Sequence, residues 1–112
     1  MNLRFSIIIA TKKYIGDLNK TINSINRQIY NPIEIIIVSN DRIFQTFNIN
    51  KKIILKKYVS KIKNQVFQRN IGFKKISKKS DILLQLDDRI ILDQRCLWEL
   101  NKFWQKMKPS VI

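Results

Sequence analysis

The sequence contains no histidine, and Cys96 is its single cysteine. An intrachain disulfide framework is therefore impossible, and neither a cysteine cage for zinc nor a histidine metal site can be built. Any metal must be held by oxygen. Glycine is also scarce, with only Gly16 and Gly72. The segment after the first apolar run, Ala10-Thr-Lys-Lys-Tyr14, has none. Neither Rossmann nor Walker spacing appears, which argues against classical dinucleotide binding and P-loop hydrolysis. Long apolar runs are missing too. Phe5 to Ala10 is broken by Ser6 and stopped by Lys12-Lys13, too short for an export signal and far below the roughly 20 residues that span a bilayer. The expectation is a cytoplasmic chain, at most peripheral at the inner face of a membrane.

Acidic residues number 8 against 22 Lys and Arg, for a net charge of +14. A field of that sign attracts nucleotides, phospholipid head groups and RNA alike. The 22 Ile, 16 Lys and 11 Asn make up 49 of the 112 residues, the skew that AT-rich codons produce, so basicity discriminates poorly among functions. One reading is a basic α/β module that meets RNA or anionic lipid through Lys51-Lys52, Lys56-Lys57 and the lysines from Lys61 to Lys79. No stacking-aromatic RNA motif accompanies those lysines, and no specific nucleic-acid partner is expected. Hydrophobic residues reach 45% and aromatics 10%, which fits a globular chain, and the length suits one domain.

Periodicity orders the elements. Phe5 to Ala10 reads as a buried strand, and Ile15, Leu18, Ile22, Ile25 and Ile29 follow at steps of 3 and 4, as on one face of a helix. Asn31-Pro32 breaks that helix before Glu34 to Val38, whose unbroken Ile and Val content suits a parallel strand covered on both faces. A third strand is expected over Ile53 to Val59. Ile62, Val66, Phe73 and Ile76 then recur near helical spacing, with Lys78-Lys79-Ser80 closing that helix before a fourth strand, Asp81 to Leu86. Asp93 is placed to cap a last helix carrying Leu97, Leu100, Trp104 and Met107, which Pro109 would end before a strand starting at Val111. Trp98, Phe103, Trp104, Phe67 and Phe73 are expected to pack between helices and sheet. Strands alternating with helices predict an α/β fold, a mostly parallel, Rossmann-like sheet of about four strands with helices on both faces. In such a sheet ligands lie beyond the carboxyl ends of the strands, at residues 10–13, 39–42 and 86–89.

Asp87-Asp88, at the end of the fourth strand, is the most informative pair. Adjacent carboxylates repel unless a cation or solvent compensates. Mg²⁺ or Mn²⁺ would do so, since both prefer oxygen and take one or two carboxylates together with substrate phosphates and water. The competing reading is a solvated strand end with an aspartate capping a turn.

Four segments in order resemble the nucleotide-binding half of family 2 glycosyltransferases, which have the GT-A fold. Phe5-Ser-Ile-Ile-Ile-Ala-Thr11 looks like the opening strand. Leu18 to Tyr30, with Ile25, Gln28 and Tyr30, looks like the helix ending in Ser-Ile-x-x-Gln-x-Tyr. Glu34-Ile-Ile-Ile-Val-Ser-Asn-Asp41 looks like Glu-Ile-Ile-Val-Val-Asp-Asp-Gly. Gln68-Arg-Asn-Ile-Gly72 followed by Asp81-Ile-Leu-Leu-Gln-Leu-Asp-Asp88 resembles Ala-Arg-Asn-x-Gly and then a strand ending in Leu-Asp-Asp.

The resemblance implies transfer of a sugar from a nucleotide-diphosphate donor to an acceptor that the residues do not identify. Asp88 would be the metal-coordinating carboxylate of a DxD-like motif, with Mn²⁺ or Mg²⁺ as cofactor, and Asp87 the ribose contact, the two roles being exchangeable. Arg69 would reach toward the nucleotide or diphosphate. Ala10 and Thr11 would lie along the base, and Asn40 would take the place of an aspartate that reads uracil, which keeps UDP-sugars favoured but weakens the preference. Lys12-Lys13 replaces Tyr-Asn, and Arg89 stands where an acid or Asn is common. Arg89 would either supply part of a cation's charge or repel the metal. Residues 1–112 would form one domain, the donor half, without the acceptor half that carries the general base, so that they would bind the donor without turning it over; the alternative within the resemblance is an inactive glycosyltransferase remnant. No catalytic residue is assigned, because Glu99, the only acid after Asp93, falls away from the strand ends. The sheet would then end in a bare edge at residues 82–86, open to a complementing chain or to self-association.

Overall fold

The computed structural model describes residues 2–12, 15–40 and 47–111. They form β1 (Phe5–Thr11), α1 (Ile15–Asn26), β2 (Glu34–Ser39), β3 (Ile54–Val59), α2 (Gln65–Lys74), β4 (Ile82–Asp87) and α3 (Cys96–Val111). The four strands make one sheet in the order β3-β2-β1-β4, with every pairing parallel. The expected α/β class and parallel sheet are thus observed.

The two central strands are buried along their whole length, as their continuous Ile and Val content requires. Side chains alternate between the faces with a period of two. Phe5, Ile7, Ile9, Ile35 and Ile37 meet Leu18, Ile22 and Ile25 of α1 and Leu97 of α3 on one side. Ile8, Ile36 and Val38 meet Ile71 of α2 and Ile76 on the other. Each fully buried Ile or Leu contributes roughly 1.5–3 kcal/mol. Because β3 and β4 lie at opposite edges, the chain joining them must cross β2 and β1. That is where α2 packs, close enough to β1 that a Cβ on Gly72 would sit 2.8 Å from Ile8 Cγ2.

Polar groups fix the lower, amino-terminal end of the sheet. Buried Glu34 accepts from Ser6 Oγ at 2.6 Å, the Ser77 amide at 2.8 Å and Lys56 Nζ at 2.6 Å. Tyr30 donates its hydroxyl to the Leu3 carbonyl and packs edge-on against Phe5. Gln28 binds three ways: its Nε2 donates to the Ser24 and Asp93 carbonyls, and its Oε1 accepts from the Leu97 amide at 3.1 Å.

Several local expectations change. Ile29 lies beyond the end of α1 and is exposed. Strand β3 begins at Ile54, and α2 closes at Lys74, capped at its start by Asn64, whose side chain accepts from the Phe67 amide. The buried face of α2 carries Gln68 and Gly72, while Ile62, Val66, Phe67 and Phe73 are exposed. The apolar spacing signalled a helix but chose the wrong face, because the glutamine is buried by bonding to strand carbonyls. Asp93 caps the turn that leads into α3, its Oδ1 accepting from the Arg95 amide and its carbonyl from the Cys96 amide, while Gln28 Oε1 accepts from the Leu97 amide in the first turn of the helix. The helix runs through Pro109 to Val111, so no strand starts there. Phe103 and Trp104 are exposed, because α3 is anchored through Leu97 and Asn101, the latter accepting from the Leu3 amide at 2.9 Å. Trp98 is half-buried beneath Arg95 and Lys102.

Candidate functional site

Thr11, Ser39, Val59 and Asp87 end the four strands on one line. Ser39 pairs with both Thr11 and Val59, and Ala10 pairs with Asp87. The connection from β1 leads to β2 and the connection from β3 leads back past β1 to β4. The strand order therefore reverses between β1 and β4, the place where a parallel sheet opens a crevice for ligands. A cleft of about 210 Å³ lies there, lined by Lys12 after β1, Gln65 at the start of α2, and Asp87, Asp88 and Arg89 at the end of β4. It holds two carboxylates and two cations.

Asp88 is held from three directions. Its Oδ2 accepts from Thr11 Oγ1 at 2.7 Å, its carbonyl accepts from Thr21 Oγ1 at 2.9 Å, and its amide donates to Asp87 Oδ1 at 2.9 Å. One oxygen of each carboxylate thus has an internal partner, and Asp87 Oδ2 and Asp88 Oδ1 remain for a ligand. Among the described residues no group of three or more Cys, Asp or Glu gathers as a closed metal site. A hard cation would have to complete its shell with phosphate oxygens and water, which is how Mg²⁺ is commonly bound beside a substrate phosphate.

The other expected residues lie around this cleft. Ala10 and Thr11 are nearly buried, 4% and 1% exposed, and the Thr11 hydroxyl is engaged by Asp88. Asn40 is half-buried just past β2, with its Oδ1 buried and unpartnered among the described residues. Arg69 is half-buried on α2 outside the cleft lining. Arg89 is 80% exposed and reaches Asp17 of α1 at 3.7 Å, so its charge is shared between α1 and the cleft. Lys13, Tyr14, Asp41 and Arg42 lie outside the described residues. Glu99 pairs with Arg95 on α3, whose nearby Asn101 binds Leu3 ahead of β1, at the end of the sheet opposite the cleft.

Sequence reasoning missed Gln65, Thr21 and the role of Gln68. Thr21 falls on the buried stripe of α1 between Leu18 and Ile25, and a hydroxyl within an apolar stripe is a readable signal. Gln68 is 0% exposed and donates through Nε2 to the carbonyls of Thr11 at 3.0 Å and Val38 at 2.9 Å, clamping β1 to β2 where both end. Its Oε1 has no partner among the described residues, a cost of about 1–3 kcal/mol that the clamp offsets.

The fold and cleft define an α/β protein with a ligand crevice at the switch point of a parallel sheet. No protein-family model matches the chain, and no curated protein does. Solved structures do. A crystal structure of S. aureus TarS, residues 1–349, superimposes with a TM-score of 0.70 over 95% of this chain at 15% identity. A second TarS crystal structure gives the same score, coverage and identity. The chain spans 33% of the first and 20% of the second. TarS is a glycosyltransferase, and the fold of this chain matches a fragment of it. No helix of the described residues is long and apolar enough to cross a membrane.

Proposed function

We propose that residues 1–112 are the donor-binding part of a glycosyltransferase that takes its sugar from a nucleotide diphosphate, with UDP-sugars favoured, and that the acceptor-binding part lies outside these residues. The observation that carries this reading is the Asp87-Asp88 pair, set with Lys12 and Arg89 in one cleft at the switch point of a sheet that matches TarS.

In this reading the cleft receives the diphosphate. Asp88 Oδ1 and Asp87 Oδ2 would hold Mn²⁺ or Mg²⁺ with it, or Asp87 would turn to the ribose. The ion would supply neutralisation of charge on the departing diphosphate. Lys12 and Arg89 add positive charge at the rim, and Arg89 can leave its exposed pairing with Asp17 at little cost. Asn40 would meet the base beyond β2, beside the end of β1, with Arg69 of α2 reaching toward the nucleotide. The outer edge of β4, which pairs with no other strand among the described residues, is where a complementing chain, or a second copy, would add a strand.

Calorimetric titration of UDP, GDP, CDP and dTDP with Mn²⁺ and with EDTA tests the reading. Metal-dependent, base-selective binding is expected, with a loss of at least 10-fold in Asp88→Ala. Equal binding in EDTA, or an unaffected Asp88→Ala, would leave a generic polyanion binder.

A further inference from the structure

A carboxylate on the first residue past a strand has several rotamers to choose from, and each must be given up when it takes a cation. Asp88 stands at such a place, within the turn that the Ile90 amide closes onto the Asp87 carbonyl at 3.2 Å. Yet it does not rely on the turn. Its carboxylate is tied to Thr11 at 2.7 Å, across 77 residues of sequence, and its carbonyl to Thr21 at 2.9 Å. Both threonines are inaccessible, 1% and 0% exposed, so neither hydroxyl exchanges its partner for water. Thr11 is in turn held through its own carbonyl by Gln68. β1 thus holds the Asp88 carboxylate, α1 holds its backbone carbonyl and α2 holds the strand end that carries Thr11, and the buried Gln68 Oε1 has no partner among the described residues. A solvated aspartate capping a turn would need none of this.

We propose that Thr11 is a positioning residue for Asp88: its hydroxyl fixes one carboxylate oxygen so that the other is presented to the cleft, and Gln68 holds Thr11 in place to do it. The inference rests on the reading of Asp88 as the metal-binding carboxylate. In this role Thr11 acts through Asp88, on which its one donor is spent, and the role needs no contact of its own with metal or nucleotide. Groups that orient a ligand to a metal typically change metal affinity by about 10–100-fold when removed.

The test is Mn²⁺ binding in the presence of UDP, read from the free-Mn²⁺ electron paramagnetic resonance signal, on the 112-residue chain and its Asp88→Ala, Thr11→Val, Thr11→Ser and Gln68→Met variants. Thr11→Val keeps the shape and removes the donor, and is expected to weaken Mn²⁺ by about 10-fold. Thr11→Ser keeps the donor and should restore affinity to within about 3-fold of the parent. Gln68→Met frees the Thr11 carbonyl and should give a smaller loss. A purely structural threonine would show the opposite pattern, since serine fits a β-strand worse than valine does. Two results overturn the positioning role while leaving the donor site standing: parent-like affinity in Thr11→Val, or equal losses in the valine and serine variants. If Thr11→Val fails to fold, unchanged affinity in Gln68→Met overturns it instead. Absence of Asp88-dependent Mn²⁺ binding in the parent chain removes the donor-site reading itself, and this inference with it.

Discussion

Glu34 opens β2 with a carboxylate 1% exposed and three donors upon it. Burial alone pushes its pKa up, but the hydrogen bonds from Lys56, Ser6 and Ser77 together outweigh burial and hold it below its ordinary 4.5. A carboxyl depressed in the folded state adds stability that is fully present above its unfolded value and is lost as pH falls through the folded one. Urea midpoints should therefore hold steady down to about pH 5 and then drop. Glu34→Gln should cost roughly 2 kcal/mol at neutral pH, less than for a fully buried pair because Lys56 remains 28% exposed. The variant should also flatten the acid limb, and an unchanged limb would assign it to other carboxylates. Gln28 and Tyr30 show what the sequence could and could not say at this scale. Both were visible as parts of a motif, but only the folded structure shows that Gln28 ties α1 to the start of α3 and that Tyr30 secures the chain ahead of β1. Thr11 is the sharper case. Its place beside the site was legible, whereas its bond to Asp88 depends on β1 and β4 being neighbours, which no local pattern records.

Among the elements, α2 separates what periodicity sees from what it misses. Hydrophobic spacing found the helix, but a count of apolar residues cannot register a glutamine buried by its bonds to two strand carbonyls, nor a glycine buried by close approach. Gly72 gives a direct check. Alanine is favoured over glycine in a helix by about 1 kcal/mol, yet the added Cβ would lie 2.8 Å from Ile8 Cγ2 and 3.1 Å from Cδ1. Crowding of a packed core typically costs about 1–3 kcal/mol. Overcrowding wins, so Gly72→Ala should lower stability by roughly 1 kcal/mol in urea titration, and by less when combined with Ile8→Ala. Greater stability in the single variant would mean that α2 stands further from β1 than described. For α3 the mismatch is of another kind. Its stripe Leu100, Trp104 and Met107 is periodic, as expected, but all three are exposed, because pattern specifies an apolar face without specifying what covers it.

At the scale of the molecule, alternation of strand and helix was enough to give a parallel sheet, and the sheet was enough to send the search to the strand ends. Asp87 and Asp88 are where that reasoning put them, with Lys12 and Arg89 beside them. The order β3-β2-β1-β4 was not legible, since nothing in β4 itself says that its neighbour is β1. That order has a consequence for assembly in time. β1, α1 and β2 are contiguous in sequence and can associate early, but β4, which leads into Asp88, pairs Ile82 with Phe5 across the intervening β2, β3 and α2, and long-range pairing of this kind is slow. The hydroxyl of Thr11 waits for a partner 77 residues away. On the donor-site reading proposed above, a nucleotide and metal held between those strands would find no binding geometry in a half-folded chain. They should slow unfolding by the full measure of their affinity and leave the rate of folding untouched.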